Sequence, residues 1–221
     1  MPPTRPRCPI KLSSEPMKLY YTGYSPYARI CRIIVLEKGL EDRVEMLEAQ
    51  VRTEGSPFYD VNPSGRVPYL QRQNGPGLEG SSLIACYLDR ADGNPIFGPW
   101  DGKGSLEVRR LEMLGRSLMD GTTNWAREIF MHPEEHRAPK VLAHEKARAT
   151  RMLDQWDREI DNPLMHGALN IAQITMIAAL QMNIVNTEFK WRDSHPKLST
   201  WFAPRSERPS VQATQPPGAM F

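Results

Sequence analysis

Two short stretches carry the residue types that could do chemistry. Thr22-Gly23-Tyr24-Ser25-Pro26-Tyr27 follows a β-favouring segment, and Asn62-Pro63-Ser64-Gly65-Arg66-Val67-Pro68 precedes the apolar pair Tyr69-Leu70. In the first, Ser25 stands at a helix N-cap with Pro26 at the first helical position, where a missing N–H costs nothing and the fixed φ suits the helix. A thiolate held there meets a hydroxyl donor and the positive end of the helix. In the second, Pro68 sits where a cis bond would turn the Val67 main chain outward, free to pair with an extended peptide. The two together suit a small thiol with a peptide-like body. Each also has a bland reading: Ser25 as a bare helix cap, and Pro68 as an ordinary strand-entry proline.

Tyr24 and Tyr21 are the competing hydroxyls near Ser25. Cys31 lies about two turns into the same helix, too far along to replace it. Cys8, Cys31 and Cys86 show no C-x-x-C spacing, and their odd number argues against a disulfide framework, so a reducing, cytoplasmic setting is expected. His132-Pro133-Glu134-Glu135-His136 matches H-x-x-E-H, a zinc-peptidase pattern that needs both histidines on one helix face. Pro133 beside the first histidine and the polar surroundings read equally as an exposed corner between helices, and no metal is expected.

The 221 residues carry 28 basic and 26 acidic side chains, well mixed, for a formal net charge of +2, so no basic stripe for a nucleic-acid backbone is present. The longest apolar run, Ile174 to Leu180, is far short of the roughly 20 residues that span a bilayer, and no membrane contact is expected. Residues 1–16 hold five prolines and three basic residues without an apolar h-region, and are expected to form a disordered arm rather than a secretory signal.

The elements that must position these residues read as follows. Lys18 to Thr22 is a strand, and Tyr27, Ile30, Cys31, Ile34 and Val35 then follow a helical rhythm that Gly39 closes. Val44 to Leu47 gives a second strand, implying a parallel βαβ unit. The Val67-Pro68 strand, the Asn74-Gly75-Pro76-Gly77 turn and Leu78-Glu79 describe a hairpin. Gly80 or Ser81 can cap the next helix, with Leu83, Ile84, Tyr87, Leu88 and Ala91 on one face. The order β-α-β-α-β-β-α over 17–91 is followed by a Gly/Pro-rich linker over 92–104 and by an all-helical region over 105–203. In that region Leu111, Leu114, Leu118 and Trp125 mark one helix, Leu142, Met152, Leu153, Trp156 and Ile160 a second running from near His136 to Ile160, and Asn170-x-x-Gln173 caps a central buried helix. A helix from Pro196 to about Phe202 ends the fold, and 204–221 is expected to be irregular.

This succession, with Ser25-Pro26, Val67-Pro68 and Gly80-Ser81-Ser82 in place, resembles the cytosolic glutathione S-transferase family from Met17 to about Pro209. The resemblance implies an α/β plus all-α fold, a thioredoxin-like domain followed by a helical bundle. It implies glutathione as co-substrate, a small apolar electrophile and a homodimer. By the same likeness Ser25 donates to the glutathione sulfur, and Val67, before Pro68, pairs with the cysteinyl main chain. Ser81, with Gly80 and Ser82, receives the γ-glutamyl carboxylate, and Arg66 approaches the glycyl carboxylate. Tyr24, Met119, Thr123 and Trp125 are candidates for the electrophile pocket between the domains. Gly80 stands where the family has Asp or Glu, which removes an expected contact to the ammonium group, and Glu79 is expected on the opposite face of its strand. Asn170 and Gln173 replace the family's Ser/Thr-x-x-Asp box. A binding module that keeps the fold but has lost catalysis remains the alternative; thiol-disulfide exchange is disfavoured because serine, not cysteine, stands at position 25.

Overall fold

The computed structural model describes residues 16–102 and 104–218; of the expected N-terminal arm, 1–15, with Cys8, lie outside the described residues. The chain opens with β1 (Met17–Tyr21), α1 (Pro26–Glu37), β2 (Val44–Glu48), α2 (Phe58–Val61), β3 (Tyr69–Gln71), β4 (Leu78–Glu79) and α3 (Ser81–Arg90). The four strands form one mixed sheet in the order β2-β1-β3-β4, with β1 parallel to β2 and antiparallel to β3. Side-chain alternation along β1 explains its two coverings. Leu19 is fully buried with Ile30, Ile34, Ile84 and Leu88, so α1 and α3 cover one face, while the Tyr20 ring meets Phe58 of α2 at 5.3 Å on the other. This is a thioredoxin-like domain.

A helical domain follows: α4 (Ser105–Met131), α5 (Pro139–Glu159), α6 (Ile171–Leu180), α7 (Met182–Val185), α8 (Pro196–Ser206) and α9 (Pro209–Ala213). Every residue of α6 is buried, as its all-round apolar composition requires. Its start is fastened as the sequence suggests: Asn170 Oδ1 accepts from the Gln173 N–H at 3.1 Å, and Gln173 Nε2 donates to the Leu164 and Ala168 carbonyls. No described helix is long and apolar enough to cross a membrane.

The segment between the domains is more ordered than its Gly/Pro content suggests. The Asp89 carboxylate, fully buried at the end of α3, accepts from the Ile96 and Phe97 N–H groups at 2.9 and 3.0 Å and from Trp100 Nε1 at 2.6 Å. Lys38 Nζ, its own side chain 1% exposed, lies 3.5 Å from the same carboxylate and 2.8 Å from Asp92. One carboxylate thereby fixes where the helical domain departs.

Two expectations need correction. Residues beyond Pro204 are not irregular: α8 runs through Pro204 to Ser206, and α9 follows. The reason is tertiary. Arg29, buried in α1, donates to Thr214 Oγ1 at 3.2 Å and to the Val211 carbonyl at 2.9 Å, while Arg208 and Ser210 both bind Glu37 at the end of α1. Leu83, expected on the apolar face of α3, is 54% exposed, whereas Ile84, Leu88 and Ala91 of the same set are buried in the core with Ala85.

Replacing Asp89 by alanine strands buried donors and the Lys38 cation, and is expected to lower unfolding free energy by about 3–5 kcal/mol in urea titrations. Burial alone would raise the Glu37 pKa, but hydrogen bonds from Arg208 and Ser210 hold it below the ordinary value. A depressed carboxylate stabilises the fold fully above its unfolded pKa, about 4.3, and that contribution is lost as pH falls through the folded value. Hydrogen exchange in α9 should therefore rise selectively on acidification below about pH 4, and Glu37→Gln should produce the same loss at neutral pH.

Candidate active site

A cavity of about 830 Å³ lies between the two domains. Its first wall is the N-terminus of α1. The Thr22 carbonyl accepts the Ser25 N–H at 3.1 Å, turning the chain, and Ser25 Oγ accepts the Ala28 N–H at 3.2 Å with Pro26 at the first helical position. Capping uses a lone pair of Oγ and leaves its proton free to donate into the cavity. Ser25 is thus both a cap and an available donor.

The second wall is the approach to β3. Val67-Pro68 is joined by a cis peptide bond, Val67 and Pro68 line the cavity, and the ladder begins only at Tyr69, which leaves the Val67 main chain outside it. Asn62 shapes the preceding turn by donating from Nδ2 to the Arg66 carbonyl at 2.9 Å. Arg66 lines the cavity from this turn.

The third wall is the start of α3, with Gly80 at the N-cap and Ser81 and Ser82 in the first turn, all three on the cavity. Gly80 holds φ +92°, a conformation L side chains rarely adopt. Side chains from α4 grip this turn. Arg116 Nη1 donates to Ser81 Oγ at 2.8 Å, Arg109 Nη2 donates to Ser82 Oγ at 2.8 Å, and Ser82 Oγ donates to Glu112 at 3.3 Å. Glu112 is fully buried and paired with both guanidiniums, to Arg116 at 2.9 Å. Because Ser81 Oγ accepts from Arg116, its own proton is left to donate.

Further along α4, Asp120, Thr123, Arg127 and Phe130 line the opposite side. Tyr27 from α1 reaches across and donates to Asp120. Burial, then the hydrogen bond to Asp120, raises the Tyr27 pKa well above the ordinary phenol value, so this hydroxyl stays protonated.

Of the residues expected at the site, Tyr24, Ser25, Arg66, Val67, Pro68, Gly80, Ser81, Ser82 and Thr123 come together around the one cavity. Met119 does not: it is fully buried in the core, because the cavity stripe of α4 runs through 113, 116, 120, 123 and 127 and Met119 falls on the adjoining face. Trp125 is likewise buried, edge-on to Phe189. Tyr21 lies outside the lining, beneath the Arg32 guanidinium at 4.2 Å. Glu79 keeps the strand alternation, opposite Leu78 and on the face of Tyr69 and Tyr20, but that face borders the cavity at the edge of the sheet, where Glu79 accepts from Ser64 Oγ at 2.7 Å. Burial pushes the Cys31 thiol up to about 12, consistent with its exclusion as a nucleophile.

The zinc pattern dissolves. His132 ends α4 beside Glu128, while Glu135 and His136 belong to an exposed 3-10 turn, and no group of ligand-type side chains able to hold a metal forms among the described residues. The sequence reading missed Arg116, Asp120, Arg127 and Arg52, whose signal was the i, i+4, i+7, i+11 spacing of polar residues in a long helix and a lone arginine after β2.

The family model for the N-terminal domain of glutathione S-transferases matches residues 24–91. The uncharacterized GST-like protein YibF of Escherichia coli is 28% identical over 92% of this chain and 100% of its own length. A probable glutathione transferase of Aplysia californica is 34% identical over 71 residues, 32% of this chain and 73% of that protein. Among solved structures, a glutathione transferase family member from Pseudomonas fluorescens with bound glutathione superposes with a TM-score of 0.82 at 29% identity, over 91% of this chain and 99% of that one. Its fold, the arrangement of its cavity and these relatives agree, and the chain belongs to the glutathione S-transferase family.

Proposed function

We propose that this protein is a glutathione transferase that stabilises the thiolate of glutathione through Ser25 and delivers it to an electrophile with an apolar body. The observation that carries the reading is the convergence of the Ser25 hydroxyl, the Val67 main chain and the Ser81 turn on one cavity. Glutathione's thiol has an ordinary pKa of about 8.5, so only a few per cent is ionised at neutral pH. A hydroxyl proton and the N-terminus of α1 both favour the anion, and each pKa unit gained is worth about 1.4 kcal/mol. The sulfur then sits against Ser25 while the cysteinyl main chain pairs with Val67.

The γ-glutamyl carboxylate is received by the Ser81 hydroxyl and the free N–H groups of Ser81 and Ser82 at the start of α3. Arg116, by donating to Ser81, orients that hydroxyl toward the carboxylate. Gly80 offers no acid for the ammonium group; Glu79, on the cavity one residue earlier, supplies one. Arg66 faces the glycyl carboxylate. Phe130, Met131, Met182 and Val185 line the space for the apolar body of the electrophile, alongside Tyr24 and Thr123.

The second reading, a module that binds without catalysis, is favoured by Gly80 alone. A homodimer accompanies the enzyme reading: Leu106 of α4 and Leu83 of α3, 82% and 54% exposed, leave apolar side chains in water that a second copy would cover.

Titration of glutathione should raise a thiolate absorbance at neutral pH that is lost in Ser25→Ala, with kcat/KM falling by about 10²-fold. No thiolate signal in the unmodified protein would favour the module, and a signal surviving the substitution would transfer the role to Tyr24. Arg116→Ala should weaken glutathione binding about tenfold in calorimetry while the Ser25-dependent thiolate pKa stays in place. In sedimentation velocity the unmodified chain should run as a dimer and Leu106→Glu should shift it toward monomer.

A further inference from the structure

Three guanidiniums meet at one end of the cavity. Arg52 comes from the loop after β2, Arg66 from the turn before β3 and Arg127 from α4, and all three line the same space. The other arginines around this cleft are committed: Arg116 and Arg109 to Glu112, and both to the α3 serines. Among the described residues the side chains of Arg52, Arg66 and Arg127 have no hydrogen-bond or ion-pair partner. Burial and the neighbouring guanidiniums of Arg52 and Arg66 push the Arg127 pKa down, outweighing the opposing pull of Tyr27 and Asp120. Asp120, the acid in that environment, accepts from Tyr27 and offsets one of the three cations. Arg52 also holds φ +56°, the one left-handed non-glycine residue described, a conformation that persists only where the surroundings enforce it.

This arrangement exceeds what glutathione needs. The tripeptide brings two carboxylates and one ammonium. One carboxylate goes to the α3 turn and one to a single guanidinium of the three. With Asp120 offsetting a second, one positive charge remains beside the apolar side chains of Phe130 and Met131, on the α4 side of the cleft. We propose that the electrophile conjugated here carries a carboxylate on its apolar body, and that Arg127 receives that carboxylate with Arg52 completing the cationic rim. The inference rests on the glutathione reading and narrows its substrate class. In a substitution the sulfur–carbon bond forms as the bond from that carbon to its leaving group breaks. The leaving group departs with the bonding pair, the thiol proton passes to solvent, and the carboxylate anchors the molecule without reacting.

The test uses the full chain and two isosteric conjugates, S-(4-carboxybenzyl)glutathione and S-(4-carbamoylbenzyl)glutathione, titrated by calorimetry. The acid should bind at least about tenfold more tightly than the amide, because a charge-assisted guanidinium–carboxylate pair replaces a neutral contact. That ratio should collapse toward one in Arg127→Gln, recover in part in Arg127→Lys, and shrink at an ionic strength of about 1 M. Equal binding of the two conjugates by the unmodified protein, or a ratio that survives in Arg127→Gln, would overturn the proposal while leaving the glutathione reading intact. Binding of neither conjugate, nor of glutathione itself, would overturn the glutathione reading and this one with it. Should Arg127→Gln fail to fold, the acid-to-amide ratio and its salt dependence in the unmodified chain decide the matter alone.

Discussion

A carboxylate with no access to water holds the two domains in register. Glu112 sits inside α4, fully buried, with the Arg116 and Arg109 guanidiniums on either side and the Ser82 hydroxyl donating to it. An isolated charge in such a place would be severely penalised, so Glu112 is tolerable only while these partners surround it. The partners in turn grip Ser81 and Ser82, the first turn of α3. The angle at which α4 crosses the thioredoxin-like domain is thereby tied to the turn proposed to receive the γ-glutamyl carboxylate. Everything further along α4 inherits that placement, including Asp120, Thr123 and Arg127 on the far wall.

Two smaller clamps act in the same sense. Asp89 gathers the N–H groups of the inter-domain segment, and Arg29 with Glu37 fastens the C-terminal helix onto α1. The second clamp concerns the helix that Ser25 caps. Burial pushes the Arg29 pKa down to about 9, a measure of how poorly the cation is solvated there, and its hydrogen bonds to the Val211 carbonyl and Thr214 offset part of that cost. The N-terminus of α1, where the thiolate is proposed to lie, is therefore backed by packing from both ends of the chain.

The cavity has a division of labour that follows from these constraints. Its thioredoxin-like side offers hydrogen-bond donors built by local backbone devices: a cap at Ser25, a cis peptide before Pro68 and a helix start at Ser81. Its helical side offers Arg127 and apolar surface from α4 and α7, and Arg52 and Arg66 complete the cationic edge from the loops of the thioredoxin-like side. A ligand filling both sides must be polar and peptide-like at one face. At the other it meets greasy walls with a cationic edge.

What could be read from the chain alone was what short-range chemistry dictates. A serine followed by proline at a helix entry, a valine-proline before a short strand, and a serine after a glycine each do their work within a few residues, so their positions in the cavity were legible, as were the βαβ opening, the hairpin and the buried α6. What was decided only in three dimensions involves partners far apart in sequence. Glu79 came to border the cavity because the sheet face it shares with Tyr69 meets the Ser64 turn there, Met119 faced the core because a helix offers several apolar stripes and packing selects among them, and residues after Pro204 became helical because Arg29 and Glu37, more than 170 positions earlier, supplied their contacts. Local pattern sets which conformations are open to a segment; burial of charge and apolar surface against distant elements chooses one, and that choice has no signature in any short window of sequence.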